Sequence, residues 1–327
     1  MPTKARELDW SIHYFRAVAI LAIMATHAYS LWGHAETVRI FFHSSSAFFL
    51  FISGYLAQYL DSRRRTGVLD FYRKKLKNVI CPFLVFSLLF GIGRPGYGVT
   101  AEFWSEVLLG RMQVQFWYIP FVSLLFLATP GLCRLANRSL LAAFGFSSLL
   151  FFVFPHRPEG FMLAWPDTLH LYSYFTVFYM AGLVYCRFRA RLDPLVRRYW
   201  GVTLALAAAF TWVVAFPGQS QWLKSGYDLF VGLQRFCVIF LLLPLLGRLP
   251  RGIWLLDQLA QHSFTLYFVH VGFFFLLWPV HDFLVDRLPV PLVLTELGCF
   301  AVATLALLGA AVLLKPRLGR FARPLLG

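Results

Sequence analysis

The stretch Phe15–Tyr29, FRAVAILAIMATHAY, sets an arginine and a histidine inside a run otherwise apolar enough to lie in hydrocarbon. Arg16 and His27 are eleven residues apart. At about 100° per residue that is about three turns plus roughly 20°, so both fall on one face of a helix. They stand roughly 16 Å apart along the axis, about half of a hydrocarbon core of roughly 30 Å. The segment reads as a membrane helix with a polar stripe running part of the way across.

The rest of the chain is of the same kind. Of 327 residues, 59% are hydrophobic, 18% aromatic and only 14% charged, and the mean hydropathy is +0.66. That excludes a soluble globular domain and predicts one integral membrane domain over residues 1–327. Apolar segments of spanning length fall near 13–33, 40–60, 78–96, 113–133, 139–154, 168–186, 199–216, 228–247, 256–278 and 291–314. The expected fold is therefore an all-α, polytopic transmembrane bundle of about ten spans. The first span follows a short basic head as a signal peptide would, but it is long enough to cross and is read as retained.

The net charge of +15 would suit a nucleic-acid partner in a soluble protein. Here the positive-inside rule accounts for it, and no nucleic acid is expected. With a cytoplasmic N-terminus, 22 of the 30 lysines and arginines fall in inside segments and 6 outside, while Arg16 and Arg235 lie within spans. Both termini are thus expected in the cytoplasm, in a multi-pass protein of the cell's inner (plasma) membrane. The five cysteines are scattered singly, which predicts neither a disulfide framework nor a metal site. No internal repeat is evident, which disfavours transporter folds built from duplicated halves.

Ionisable groups inside spans are costly and tend to face the bundle interior. Here they are Arg16, His27, His43, His170, Arg235, His270 and Glu296. Each has a structural reading: Arg16 as a snorkelling anchor, the histidines as hydrogen-bonded core residues, Arg235 as a partner of Glu296 or Asp228. In the second span, FHSSSAFFLFISGYL, His43 begins at the depth of His27, and the serines with Ser53-Gly54 allow close helix approach. Before the third span, Arg73, Lys74, Lys75 and Lys77 follow Arg63–Arg65 closely. They form either an anchor on anionic lipid or a site for a phosphorylated nucleotide carrier. In LAQHSFTLYFVHVGFF, Ser263, Tyr267 and His270 lie near one helix face.

Together these segments resemble the acyltransferase 3 family of integral membrane acyltransferases, whose members modify sugars, often with acetyl groups. Arg16 and His27 match its Arg/Lys, ten residues, His signature. FHSSSAFFLFISGYL is similar to its second-helix pattern, with Ser45 where a proline is usual. FYRKKLKNVICPFL is similar to the basic segment that follows, with Asn78 where the basic run often continues. FWYIPFVSLLFLATP and HSFTLYFVH are similar to the mid-chain and late helices. The likeness runs from about residue 10 to 314, in order.

The resemblance implies an O-acyltransferase that moves an acyl group, most simply acetyl, from cytoplasmic acyl-CoA to a carbohydrate hydroxyl across the membrane. The donor is a substrate, and no permanently bound cofactor is expected. Arg16, Arg73, Lys74, Lys75 and Lys77 would hold the nucleotide end of CoA. His27 would act as general base or acyl acceptor, with Glu296 as an orienting carboxylate. His43, Ser53, Arg235, Tyr267 and His270 would line the substrate path. Some family members carry a soluble hydrolase-like domain after the membrane unit. Nothing of that kind follows Leu314 in this sequence, so transfer is expected to finish within the membrane domain or directly on the acceptor. The rival readings are a flippase of a lipid-linked sugar, which the same buried polar residues would suit, and a non-catalytic scaffold.

Overall fold

A computed structural model describes residues 9–32, 40–62, 67–92, 100–154, 165–216, 226–287 and 292–326. Among them there is no strand, and the described part of each of the ten apolar segments is mostly helical. The principal helices are α1 (Trp10–Trp32), α2 (Ser46–Ser62), α3 (Val68–Lys75), α4 (Cys81–Ile92), α5 (Ala101–Leu108), α6 (Tyr118–Arg134), α7 (Asn137–Val153), α8 (Trp165–Arg187), α9 (Arg189–Arg198), α10 (Trp200–Ala215), α11 (Tyr227–Leu246), α12 (Trp254–Arg287), α13 (Leu292–Leu318) and α14 (Ala322–Leu326).

By length and composition five described helical stretches suffice to cross a membrane: Ile40–Asp61, Val68–Ile92, α11, α12 and Leu294–Leu318. A sixth is added if α9 and α10, bent by 72° at their junction, count together. α6 and α7 are apolar but only 17 residues long. α1 and α8 reach 23 residues but carry more polar side chains. Large apolar residues cover the outside of the bundle, among them Leu127, Phe146, Leu276 and Val302, each more than 60% exposed. In water such a surface would aggregate, whereas lipid tails cover it without penalty.

The interior is held by two extensive helix pairings, α2 with α8 and α1 with α12. At the first, glycines replace side chains on both partners. A Cβ on Gly54 would lie 2.0 Å from the Tyr179 carbonyl oxygen, and one on Gly182 would lie 2.0 Å from that of Phe51. Backbones in such contact exclude any larger residue. The small-residue reading of the second span therefore holds for Gly54, while Ser53 spends its hydroxyl on Tyr118 Oη at 3.1 Å.

Three breaks in helical order shape the interior. Between residues 40–42 and α2 the chain turns through 43–45, with Ser44 in the left-handed region at φ 60°. Between α3 and α4, residues Leu76–Ile80 form a π-helical turn in which the Cys81 N–H reaches the Leu76 carbonyl five residues back. Pro82, lacking an N–H, cannot close the next i→i−4 bond, which accounts for the widening there. The sequence places a span from 113, but residues 111–117 are irregular turns and α6 begins only at Tyr118. Gly110, at φ 69°, lets this segment fold onto itself, since a Cβ there would meet the Phe116 carbonyl at 2.6 Å. Non-helical backbone at membrane depth is tolerated where protein buries it or where it lines a cavity. Here Met112, Gln115 and Phe116 are all buried.

Candidate active site

The polar stripe of α1 lies against α12, and the contacts run in the same order along both helices. Near the start of α1, His13 Nε2 lies 3.0 Å from Asp257 Oδ1. One turn on, Arg16 Nη2 donates to Ser263 Oγ at 3.0 Å. Toward the far end, the rings of His27 and His270 stand 5.2 Å apart, tilted by 45°. The two helices thus run parallel, and Arg16 and His27 both face the helix that carries Ser263, Tyr267 and His270. Arg16 and His27 are partly buried, and His270 is fully so.

Hydrogen bonding fixes the state of two of these groups. The Ser263 hydroxyl donates to the Ala260 carbonyl at 3.0 Å, which turns its lone pairs toward Arg16. His270 Nδ1 lies 3.0 Å from the Leu266 carbonyl, which can only accept, so Nδ1 carries a proton and Nε2 of the neutral ring is a bare acceptor. Nε2 is buried without a hydrogen-bond partner among the described residues.

Aromatic side chains extend this line. The Tyr267 ring lies 6.3 Å from His270 and 5.8 Å from Tyr118. The Tyr267 hydroxyl donates to the main-chain carbonyl of Gln115, in the irregular segment before α6. Ser53, Tyr118, Tyr267, His270 and His27 form a continuous series across α2, α6, α12 and α1.

Arg235, 1% exposed, donates from Nε to the His43 carbonyl at 2.7 Å and from Nη2 to the Ile40 carbonyl at 3.0 Å. The sequence suggested a carboxylate partner, Glu296 or Asp228. The guanidinium instead hydrogen-bonds the main chain of the 43–45 turn. It thereby shapes the segment that carries His43, whose ring lies 6.4 Å from that of Tyr227. Glu296 is buried on α13, the neighbour of α12.

The basic segment divides by exposure. Arg73, Lys74 and Lys77 are exposed. Lys74 pairs with Asp70 at 3.6 Å, and Lys75 Nζ stands 3.6 Å above the Phe126 ring of α6. Lys75 therefore ties α3 to α6 as well as adding charge. Arg63–Arg65 lie outside the described residues.

Sequence reasoning missed a second polar cluster where α1 begins. Asp9 accepts from Arg189, from the Tyr55 hydroxyl and from Ser11 Oγ, the last at 2.8 Å. Arg189 also reaches Asp193 at 3.1 Å. Burial alone would raise the Asp9 carboxyl, but hydrogen bonds from Arg189 and Tyr55 and the guanidinium charge outweigh it, and its pKa falls below the ordinary value of 3.8. The same contacts push Arg189 up against the opposing effect of its own burial. This clasp joins the entry of α1 to α2 and α9 and so fixes where Arg16 enters the bundle.

The family model described as acyltransferase domain, acyltransferase 3, matches residues 9–314. The chain belongs to the acyltransferase 3 family. The match covers nearly all of it, from the Asp9 clasp into the last turns of α13. Comparison with curated proteins and with solved structures gives no match. This acyltransferase 3 member is thus a multi-pass membrane acyltransferase whose signature arginine and histidine meet α12.

Proposed function

We propose that this protein transfers an acyl group, most simply acetyl, from cytoplasmic acyl-CoA to a hydroxyl of a cell-surface or secreted carbohydrate. The observation that carries the reading is the parallel α1–α12 pairing, which sets Arg16 on Ser263 and His27 beside His270 along one interhelical seam. In this reading ten segments cross the inner (plasma) membrane, both termini are cytoplasmic, and the seam runs from the inner face into the outer half.

Arg16, with Arg73, Lys74, Lys75 and Lys77, holds the phosphates of CoA at the inner mouth, and the pantetheine arm follows the seam upward. The thioester then reaches His27. His27 removes the proton from the acceptor hydroxyl as its oxygen attacks the thioester carbon. The tetrahedral intermediate collapses, the C–S bond breaks, and the thiolate takes the proton back from His27 to leave as CoA thiol. In the two-step variant the His27 nitrogen attacks the thioester carbon and the C–S bond breaks to release CoA thiolate; the sugar oxygen then attacks the acyl-histidine, the C–N bond breaks, and the hydroxyl proton passes to the thiolate.

The bare acceptor Nε2 of His270, on the ring that stands 5.2 Å from that of His27, polarises the catalytic imidazole. Glu296, buried at the start of α13, supplies the charge that steadies the imidazolium. Arg235 holds the 43–45 turn so that His43 and Ser53 border the acceptor side.

The test is transfer of label from acetyl-CoA by the purified protein to the surface glycan of the source cells. His27→Ala should lower it by about 10²–10⁴-fold, the usual contribution of a general base. A variant that remains folded and transfers at the wild-type rate would overturn the assignment. A wild-type protein that consumes no acetyl-CoA but moves a lipid-linked sugar would favour the flippase.

A further inference from the structure

Gln115 is 2% exposed, and neither end of its side-chain amide, Oε1 or Nε2, has a hydrogen-bond partner among the described residues. A buried carboxamide left so costs free energy unless a ligand completes it. Its place is fixed through its main chain, since its carbonyl accepts from the Tyr267 hydroxyl on the seam side of α12.

Tyr267 lies three residues before His270, about 4.5 Å lower along α12. In an acyl-CoA, two methylenes separate the thioester sulfur from the first amide of the pantetheine arm, so that amide lies roughly 4 Å from the sulfur. A thioester held at the His27–His270 level therefore brings this amide to the level of Tyr267 and Gln115. A secondary amide offers one N–H and one C=O, and a primary carboxamide offers the matching acceptor and donor.

We infer that Gln115 binds the pantetheine amide nearest the thioester and so sets the height of the acyl group against His27. The inference rests on the acyl-CoA reading above and adds to it a recognition element for the donor arm, supplied by the irregular segment before α6.

The test removes the amide from either side. S-acetyl-N-acetylcysteamine keeps the thioester, the two methylenes and the amide, whereas S-butyl thioacetate keeps only the thioester and the chain. Thiol release from each is followed with the full-length purified protein in detergent, for wild type and for Gln115→Met, a variant of similar shape without amide groups. The wild type should favour the amide-bearing thioester by about 5- to 100-fold in kcat/KM. Gln115→Met should lose that preference by slowing on the amide-bearing compound alone.

Equal slowing on both compounds, or no change on either, would overturn the role of Gln115. Should Gln115→Met not fold, the wild type alone still decides, because absence of any preference between the two thioesters refutes the inference. A wild type that releases no thiol from acetyl-CoA itself would instead overturn the acyl-CoA reading on which it rests.

Discussion

Replacing Ser263 by alanine tests whether the seam holds Arg16 for the donor. The Ser263 hydroxyl spends its proton on the Ala260 carbonyl and offers its lone pairs to Arg16 Nη2 at 3.0 Å. Ser263→Ala leaves the α1–α12 packing almost unchanged in volume but deletes the acceptor that orients this nitrogen toward α12. A hydrogen bond to a charged group contributes about 1.5–3 kcal/mol. Arg16 is only partly buried, so water makes up some of the loss and the lower end of that range applies. At 1.4 kcal/mol per factor of ten, about 1.5 kcal/mol corresponds to about a tenfold rise in KM for acetyl-CoA. The acyl-transfer step, centred roughly 16 Å away at His27, should keep its kcat within a small factor. Steady-state kinetics with varied acetyl-CoA read both numbers, and Ser263→Thr, which retains the hydroxyl, should restore most of the affinity. An unchanged KM in Ser263→Ala, or a fall in kcat at constant KM, would refute the reasoning.

Three further outcomes follow from the packing and charge. His270→Phe, which keeps a ring against His27 but removes the Nε2 acceptor, should lower kcat by about 10²-fold while acetyl-CoA affinity holds; equal activity would remove His270 from the catalytic pair. Gly182→Ala brings a methyl group to 2.0 Å from the Phe51 carbonyl and should destabilise the α2–α8 pairing by more than the 1–3 kcal/mol typical of overpacking, read as a lower unfolding midpoint in detergent. Asp9 has a carboxyl pKa below its ordinary value, so its share of stability is fully present above pH 3.8 and is lost as the pH falls through the folded value. Asp9→Asn should therefore lower the unfolding midpoint at neutral pH and flatten its acid dependence, whereas an unchanged acid slope would show that the clasp with Arg189 contributes nothing.

Much of this was legible along single helices. Helical period puts Arg16 and His27 on one face and Ser263, Tyr267 and His270 on another, and both faces meet in the structure. The small residues at Ser53-Gly54 pointed to close packing, which Gly54 provides. What could not be read was pairing between distant elements. Asp9 and Arg189 are 180 residues apart, and no periodicity joins them. Arg235 looked for a carboxylate in the sequence and finds carbonyls at a turn, because the strained backbone at Ser44 leaves those groups open. Gln115 was passed over because an apolar run through 113–133 reads as one helix. Only the fold shows that residues 111–117 are irregular and that Gln115 is buried beside Tyr267.

The most direct measurement is an experimental structure of the protein with a non-reactive acetyl-CoA analogue. The account predicts CoA phosphates at Arg16 and the Arg73–Lys77 segment, the arm along the α1–α12 seam, and the thioester carbon in near-attack range of an imidazole nitrogen of His27, about 3–3.5 Å. An analogue seated elsewhere, or a thioester that lies away from His27 with Arg16 still bound only to Ser263, would contradict it.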